Sequence, residues 1–178
     1  LQSVTRSFIN TGQLITRGVD LQGTYQLPVT SFGDFTLLGA LSYVTDFEIT
    51  NASGTKTNGA GSRNFGNPFP SIPELRANVR MSWAYNDHSA FIAARYIDGY
   101  SNDQPLVPLP IDSWTSVDLR YNYNFGDLFG GKTSVSVGAL NVLDKDPPSL
   151  GKDQRPGYDD EVADIRGRTI YLELTAKF

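Results

Sequence analysis

His88 is the only histidine in the chain, and imidazole is the side chain best suited to carry a proton near neutral pH. It sits in Asn86-Asp87-His88, between two runs of alternating residues. It has neither a nucleophile motif nor a triad to work with, so its context predicts a solvated turn. The segment from Asp144 to Arg166 gathers Asp153, Asp159, Asp160, Glu161 and Asp164, hard oxygen ligands of the kind Ca²⁺ takes. Their spacing matches no EF-hand loop and suits a solvated acidic segment. Gly126 to Gly131 is glycine-rich, but no Lys-Ser/Thr opens a helix after it, so it is not a phosphate cradle. There is no cysteine, which excludes a disulfide framework and a thiolate metal centre. These residues predict no enzyme, no metal site and no cofactor.

The elements that would position any binding residue are strands. The 178 residues include 17 glycines, 10 prolines and 12% aromatics, a composition that favours turns and strands. Mean hydropathy is −0.29, and no apolar stretch is long enough for a transmembrane helix. Hydropathy alone would suggest a water-soluble chain, but a membrane barrel alternates apolar and polar residues and escapes such averaging. A net charge of −4 argues against nucleic acid as a partner. The opening Leu1-Gln2-Ser3-Val4-Thr5-Arg6 has no apolar signal-peptide core, and the expectation is that the chain begins inside a longer protein.

Alternation dominates from residue 13 onward. In 74–86, Leu75, Ala77, Val79, Met81, Trp83 and Tyr85 share one face, opposite Arg76, Asn78, Arg80, Ser82 and Asn86. In 114–125, Val117, Leu119, Tyr121, Tyr123 and Phe125 oppose Ser116, Asp118, Arg120, Asn122 and Asn124. In 167–178, Ile170, Leu172, Leu174, Ala176 and Phe178 oppose Thr169, Tyr171, Glu173, Thr175 and Lys177. Weaker versions run through 13–27, 34–48, 89–100 and 132–142, giving seven strands, and residues 1–10 leave room for an eighth. Asn141 shares the apolar parity of Val135 and Val137, so a bulge or strand end is expected there.

The connections sort themselves. Pro28 to Gly33, Asn86-Asp87-His88 and Gly126 to Gly131 are short. Thr50 to Pro73, Ser101 to Ser113 and Asp144 to Arg166 are long. Short turns at one end and long loops at the other describe a bacterial outer-membrane barrel. The strands run to about 11–15 residues, enough for the roughly 9–11 that a tilted crossing needs and longer than the soluble average of about 5–6. With the chain ending at the periplasmic side, Tyr25, Phe35, Trp83, Tyr85, Tyr123, Phe125 and Phe178 form one aromatic girdle. Tyr43, Phe47, Tyr96 and Tyr100 form the other. Arg17 breaks the apolar face, but it sits near the extracellular interface, where an Arg costs only about 0–1 kcal/mol.

Three pieces resemble the C-terminus of TonB-dependent receptors: Gly18-Val19-Asp20-Leu21, a Gly-hydrophobic-acid-hydrophobic strand start; Asn141-Val142-Leu143-Asp144-Lys145-Asp146, similar to an Asn-Leu-Phe-Asp-Lys motif before the last strand; and Arg166-Gly167-Arg168-Thr169-Ile170-Tyr171-Leu172 running to a terminal Phe178. The resemblance implies an all-β, antiparallel transmembrane barrel of about 22 strands with a plugged lumen. Residues 1–178 would be its C-terminal 7–8 strands, with the plug domain and TonB box elsewhere in the receptor. It implies the outer membrane of a Gram-negative cell and active uptake of a small-molecule nutrient: a carbohydrate, siderophore-iron or cobalamin. The implied partners are outer-membrane lipid, the plug and remaining strands, the TonB complex, and the barrel-assembly machinery, which would read Phe178. Substrate contacts would come from the extracellular loops and upper lumen, where Tyr100, Asn102, Asp103, Trp114, Tyr158 and Asp159 combine aromatic rings with amides and carboxylates suited to sugars. Two other readings fit the strand pattern: a complete small eight-stranded outer-membrane barrel and a soluble β-sandwich binding module.

Overall fold

The computed structural model describes residues 12–63, 71–103, 109–128, 130–151 and 157–178. In chain order its strands are β1 (Gln13–Gln26), β2 (Asp34–Thr50), the short β3 (Lys56–Asn58) and β4 (Ser62–Arg63), β5 (Leu75–Tyr85), β6 (His88–Ile97), the short β7 (Tyr100–Asn102) and β8 (Leu109–Ile111), β9 (Trp114–Leu128), β10 (Gly131–Leu140) and β11 (Thr169–Lys177). The seven long strands form one antiparallel sheet in the order β1-β2-β5-β6-β9-β10-β11. The sheet does not close among the described residues: β1 pairs only with β2, and β11 only with β10. Residues 1–10, which leave room for an eighth strand, lie outside the described residues.

Register turns the alternation into two surfaces. Leu37 pairs with Met81, Met81 with Ile92, Ile92 with Leu119, Leu119 with Ala139 and Ala139 with Ile170. This row crosses six strands on one face, and its large side chains stay open: Met81, Ile92 and Ile170 are all exposed. A water-soluble sheet would cover such a row. The other face carries a polar ladder. Arg95 pairs with Asp118 at 3.0 Å, and Arg120 with Glu173 at 3.2 Å. The Arg120 Nη2 also donates to Ser136 Oγ, and Ser136 Oγ to Asn122 Oδ1. Gly138 lies in this ladder opposite Tyr171. A Cβ at position 138 would overlap the Tyr171 ring, so the glycine makes room for an aromatic on the polar face.

Some expected boundaries move. The strand expected over 89–100 ends at Ile97, and Tyr100 belongs to the separate β7. Asn86, at φ 50, and Asp87 make the whole turn between β5 and β6. His88 is therefore not a turn residue but the first of β6, where it packs on Tyr123 at 4.9 Å between ring centroids. Its Nδ1 is 2.6 Å from the Tyr121 hydroxyl, so it joins the aromatic cluster at the short-turn end of the sheet. The Gly126 to Gly131 turn also shortens, since β9 runs to Leu128 and β10 starts at Gly131.

A register shift between Arg17 and Gly18 pairs Arg17 with Asp46 and Gly18 with Val44. A Cβ on Gly18 would come within 2.5 Å of the Tyr43 carbonyl oxygen, so the bulge needs glycine there. Arg17 thereby gains Asp46 as a salt-bridge partner at 3.4 Å. Phe47 now pairs with Thr16 and falls on the face opposite Arg17. With Tyr100 also drawn away, only Tyr43 and Tyr96 of the four aromatics expected at the long-loop end keep the apolar face.

Asn141 ends β10, as its parity required. At φ 47 it turns the chain off the sheet. Its N–H donates to Asp118 Oδ1 at 2.9 Å, and its side chain donates to the Lys145 carbonyl and accepts from the Lys145 N–H. Asp144 Oδ1 accepts the Arg168 N–H at 2.8 Å. The Asn-x-x-Asp-Lys piece is thus a clamp joining the end of β10 to the start of β11.

Candidate functional site

The three long connections meet at one carboxylate. Asp159, 2% exposed, accepts hydrogen bonds from Arg63 Nη1, Ser71 Oγ and Tyr100 Oη, each at 2.6 Å. The Glu161 N–H donates to the same carboxylate at 3.2 Å, and the Ser71 N–H donates to Glu161 Oε2 at 2.9 Å. A buried carboxylate is tolerated only when charge and donors surround it, and here the donors come from all three segments. Arg63 and Ser71 lie between β2 and β5, Tyr100 between β6 and β9, and Asp159 and Glu161 between β10 and β11. Burial first, and then the hydrogen bond to Asp159 and its negative charge, push the Tyr100 phenol far above its ordinary range. It remains a proton donor to Asp159 at all physiological pH.

Around this carboxylate the loops build their own core. Tyr100 and Ile111 pack with Leu150, and Val162 leans on them. Strands β4, β7 and β8 form a small sheet, with β4 and β7 parallel. Loops that would otherwise be separate become one cap, standing at the end of the wall opposite the short turns.

Between cap and wall lies a cavity of about 400 Å³. The wall supplies Arg76, Asn78 and Arg95 from its polar face, and the cap supplies Asp164 and Arg166, with Trp114 between. Arg95 is shared with Asp118. Arg166 grips Asp164 through Nε and Nη2 at 2.8 and 2.6 Å, and this guanidinium holds the Asp164 carboxyl below its usual range. Arg76 donates to the Ser71 carbonyl at 3.3 Å and has no carboxylate partner among the described residues.

The residues expected from sequence to touch substrate divide. Tyr100 and Asp159 come together, but with each other. Asn102 is fully buried and Trp114 nearly so, with the Trp114 Nε1 donating to the Lys145 carbonyl at 3.3 Å. Tyr158 is half-buried in a bridge with Ser149. Asp103 is exposed and accepts a hydrogen bond from Ser101 Oγ. Of the acidic residues, Asp153 lies outside the described residues, and the oxygens of Asp159 already accept hydrogen bonds rather than facing an open ion site. Sequence reasoning missed Arg63 and Ser71, which carry no local signal. It did place Arg76 on the polar face by parity, without bringing it to a site.

The sequence model of the family described as TonB dependent receptor-like, beta-barrel matches residues 2–142. That span runs from before β1 through β10 and ends inside the Asn141 clamp, leaving β11 beyond it. No curated protein and no solved structure matches the chain.

Proposed function

This chain belongs to the TonB-dependent receptor-like β-barrel family, and on that premise we propose that residues 1–178 are the C-terminal part of the barrel of an outer-membrane receptor that takes up a nutrient. Catalysis has no part in this reading. The observation that carries it is the open sheet. Among the described residues, seven long strands expose an apolar row on one face and leave one edge of β1 and one of β11 without a partner strand. In hydrocarbon every unpaired backbone group costs several kcal/mol, so these edges call for the remaining strands of a larger barrel. The plug, the TonB box and the contact with the TonB complex fall to the rest of the receptor. Refolding the isolated chain in detergent tests this. We expect no monomeric, heat-modifiable, protease-resistant barrel, and obtaining one would favour a complete small barrel instead.

Among carbohydrate, siderophore-iron and cobalamin, the cavity favours an anionic iron chelate. Three guanidinium groups line it beside the carboxylates of Asp160 and Asp164, and Arg76 has no carboxylate partner among the described residues. Guanidinium forks suit the carboxylates of such a chelate. Of the rings that would stack on a sugar, Tyr100 is buried in the cap, and Trp114, where cap meets wall, is 7% exposed with its Nε1 engaged by the Lys145 carbonyl. Calorimetry with ferric citrate and with a neutral oligosaccharide on the intact receptor separates the two. Tighter binding of the oligosaccharide, unaffected by Arg76→Ala, overturns the chelate reading.

Phe178, 93% exposed, is the proposed signal for the barrel-assembly machinery. Its deletion should cut the heat-modifiable receptor in outer-membrane fractions far more than Lys177→Ala. Equal yields would remove that role.

A further inference from the structure

The turn between β1 and β2 differs from the polar Asn86-Asp87 turn beside it. It carries large apolar side chains at its tip, with Val29 86% and Phe32 75% exposed and Leu27 partly so. A turn facing the aqueous periplasm has no use for them. The turn is also held in place. Thr30 Oγ1 donates to the Gly33 carbonyl at 2.7 Å and accepts the Phe32 N–H, and the Gly33 N–H returns to the Thr30 carbonyl. The Trp83 indole Nε1 then donates to the Phe32 carbonyl at 2.7 Å.

That last bond fixes the side on which the turn lies. Trp83 shares the face of Val79 and Met81, the exposed apolar face of the wall. Gly33, at φ 111, sits so close to β5 that a Cβ would meet Trp83 Nε1 and Tyr85 Cβ at 2.9 Å. The two outward side chains of β5 therefore form the seat, and the turn bends outward over them. Val29 and Phe32 extend the belt formed by Tyr25, Trp83 and Tyr85.

We propose that residues 27–33 form an interfacial anchor that inserts Val29 and Phe32 among the phospholipids of the periplasmic leaflet, with Trp83 as its seat. The occupant is lipid because the patch is continuous with the lipid-facing row of the wall, and the turn carries no charge to repel or attract a headgroup selectively. Aromatic and apolar groups at headgroup depth are stable in this way. The inference rests on the outer-membrane reading above.

Residues 1–178 contain no cysteine, so nitroxide labels are placed singly once any cysteine elsewhere in the receptor is replaced by serine. Phe32→Cys and Val29→Cys would be compared with Leu119→Cys in the wall and Asp87→Cys in the neighbouring turn. The intact receptor would be reconstituted in phosphatidylethanolamine–phosphatidylglycerol vesicles. Power saturation with oxygen and with a water-soluble nickel chelate reads depth. We expect oxygen-to-nickel accessibility ratios at positions 29 and 32 several-fold above that at 87 and approaching that at 119. Adding Trp83→Phe should lower the ratio at 32 toward that at 87. A ratio at 29 and 32 equal to that at 87, with 119 reading hydrocarbon, overturns the anchor and leaves the wall intact. A water-like ratio at 119 as well overturns both. An unchanged ratio in Trp83→Phe overturns the seat.

Discussion

Leu172, in the last strand of the wall, is 76% exposed, whereas Leu150, in the longest loop, is 2% exposed. The same side chain thus meets opposite environments within one chain. In the wall, each apolar residue needs only the correct parity, because lipid covers whatever points outward. In the cap, no lipid is available, and an apolar residue is covered only if three loops converge on it. The charges divide the same way. Wall charges pair with near neighbours across a strand boundary, as Arg95 does with Asp118. The central cap pair joins Arg63 to Asp159 across 96 positions of sequence. The wall is specified locally and the cap only by assembly.

The strongest way to break this contrast is to remove the centre of the cap. Asp159→Ala leaves Arg63 buried without its main partner, which costs about 3–5 kcal/mol for a buried pair. Limited proteolysis of the intact receptor should then cut within the three long loops, while heat-modifiable mobility of the barrel is unchanged. If barrel and loops fail together, cap and wall are one cooperative unit.

Next comes the wall. Leu119→Arg places a charge on the lipid face at mid-strand, at about 2–4 kcal/mol. Arg120→Ala, one residue on, removes a charge from the lumen side and should be far milder. Insertion yield into vesicles compares them directly, and equal yields would mean that the exposed apolar row does not meet lipid.

Both effects bear on what the sequence disclosed. The seven long strands were legible because period two repeats within each strand and needs no knowledge of a partner. The clamp was half legible: Asn141 had the wrong parity for a strand, which announced a strand end, but its bonds to Lys145 and Asp118 were not readable. Phe47 was misplaced because a single bulge at Arg17/Gly18 inverts parity downstream. The convergence on Asp159 left no trace in the sequence. Arg63, Ser71 and Tyr100 sit in loops with no period, and only the fold brings them within 2.6 Å of one carboxylate.

Tyr100 sharpens the contrast with pH. Tyr100→Phe removes one hydrogen bond to a charged acceptor, worth about 1.5–3 kcal/mol, from the cap alone. Because the folded phenol holds its proton above the ordinary tyrosine pKa of about 10, the opened loops bind fewer protons than the closed ones in alkali. Cap stability is therefore full below about pH 10 and falls as pH rises beyond it. Loop proteolysis should accelerate above that pH in the parent protein, and the acceleration should shrink in Tyr100→Phe. The same slope in both would assign the effect to another group.

The smallest effect lies where wall and cap join. Asn141 does two things there: it takes φ 47 and it makes hydrogen bonds with its side chain. Glycine keeps the first ability and loses the second, whereas alanine loses both. Asn141→Gly should therefore cost about 0.5–1.5 kcal/mol for each of the two side-chain hydrogen bonds it removes, the net value of an intramolecular hydrogen bond. Asn141→Ala should cost about 1 kcal/mol more for the left-handed backbone. The N–H bond to Asp118 comes from the backbone, so it survives in Asn141→Gly only if the chain still turns there. Hydrogen exchange at the amides of residues 141 and 168, one on each side of the clamp, follows this. Slow exchange at both in Asn141→Gly and fast exchange at both in Asn141→Ala would show that backbone conformation holds cap to wall. Fast exchange in both variants would show that the side-chain bonds to Lys145 do.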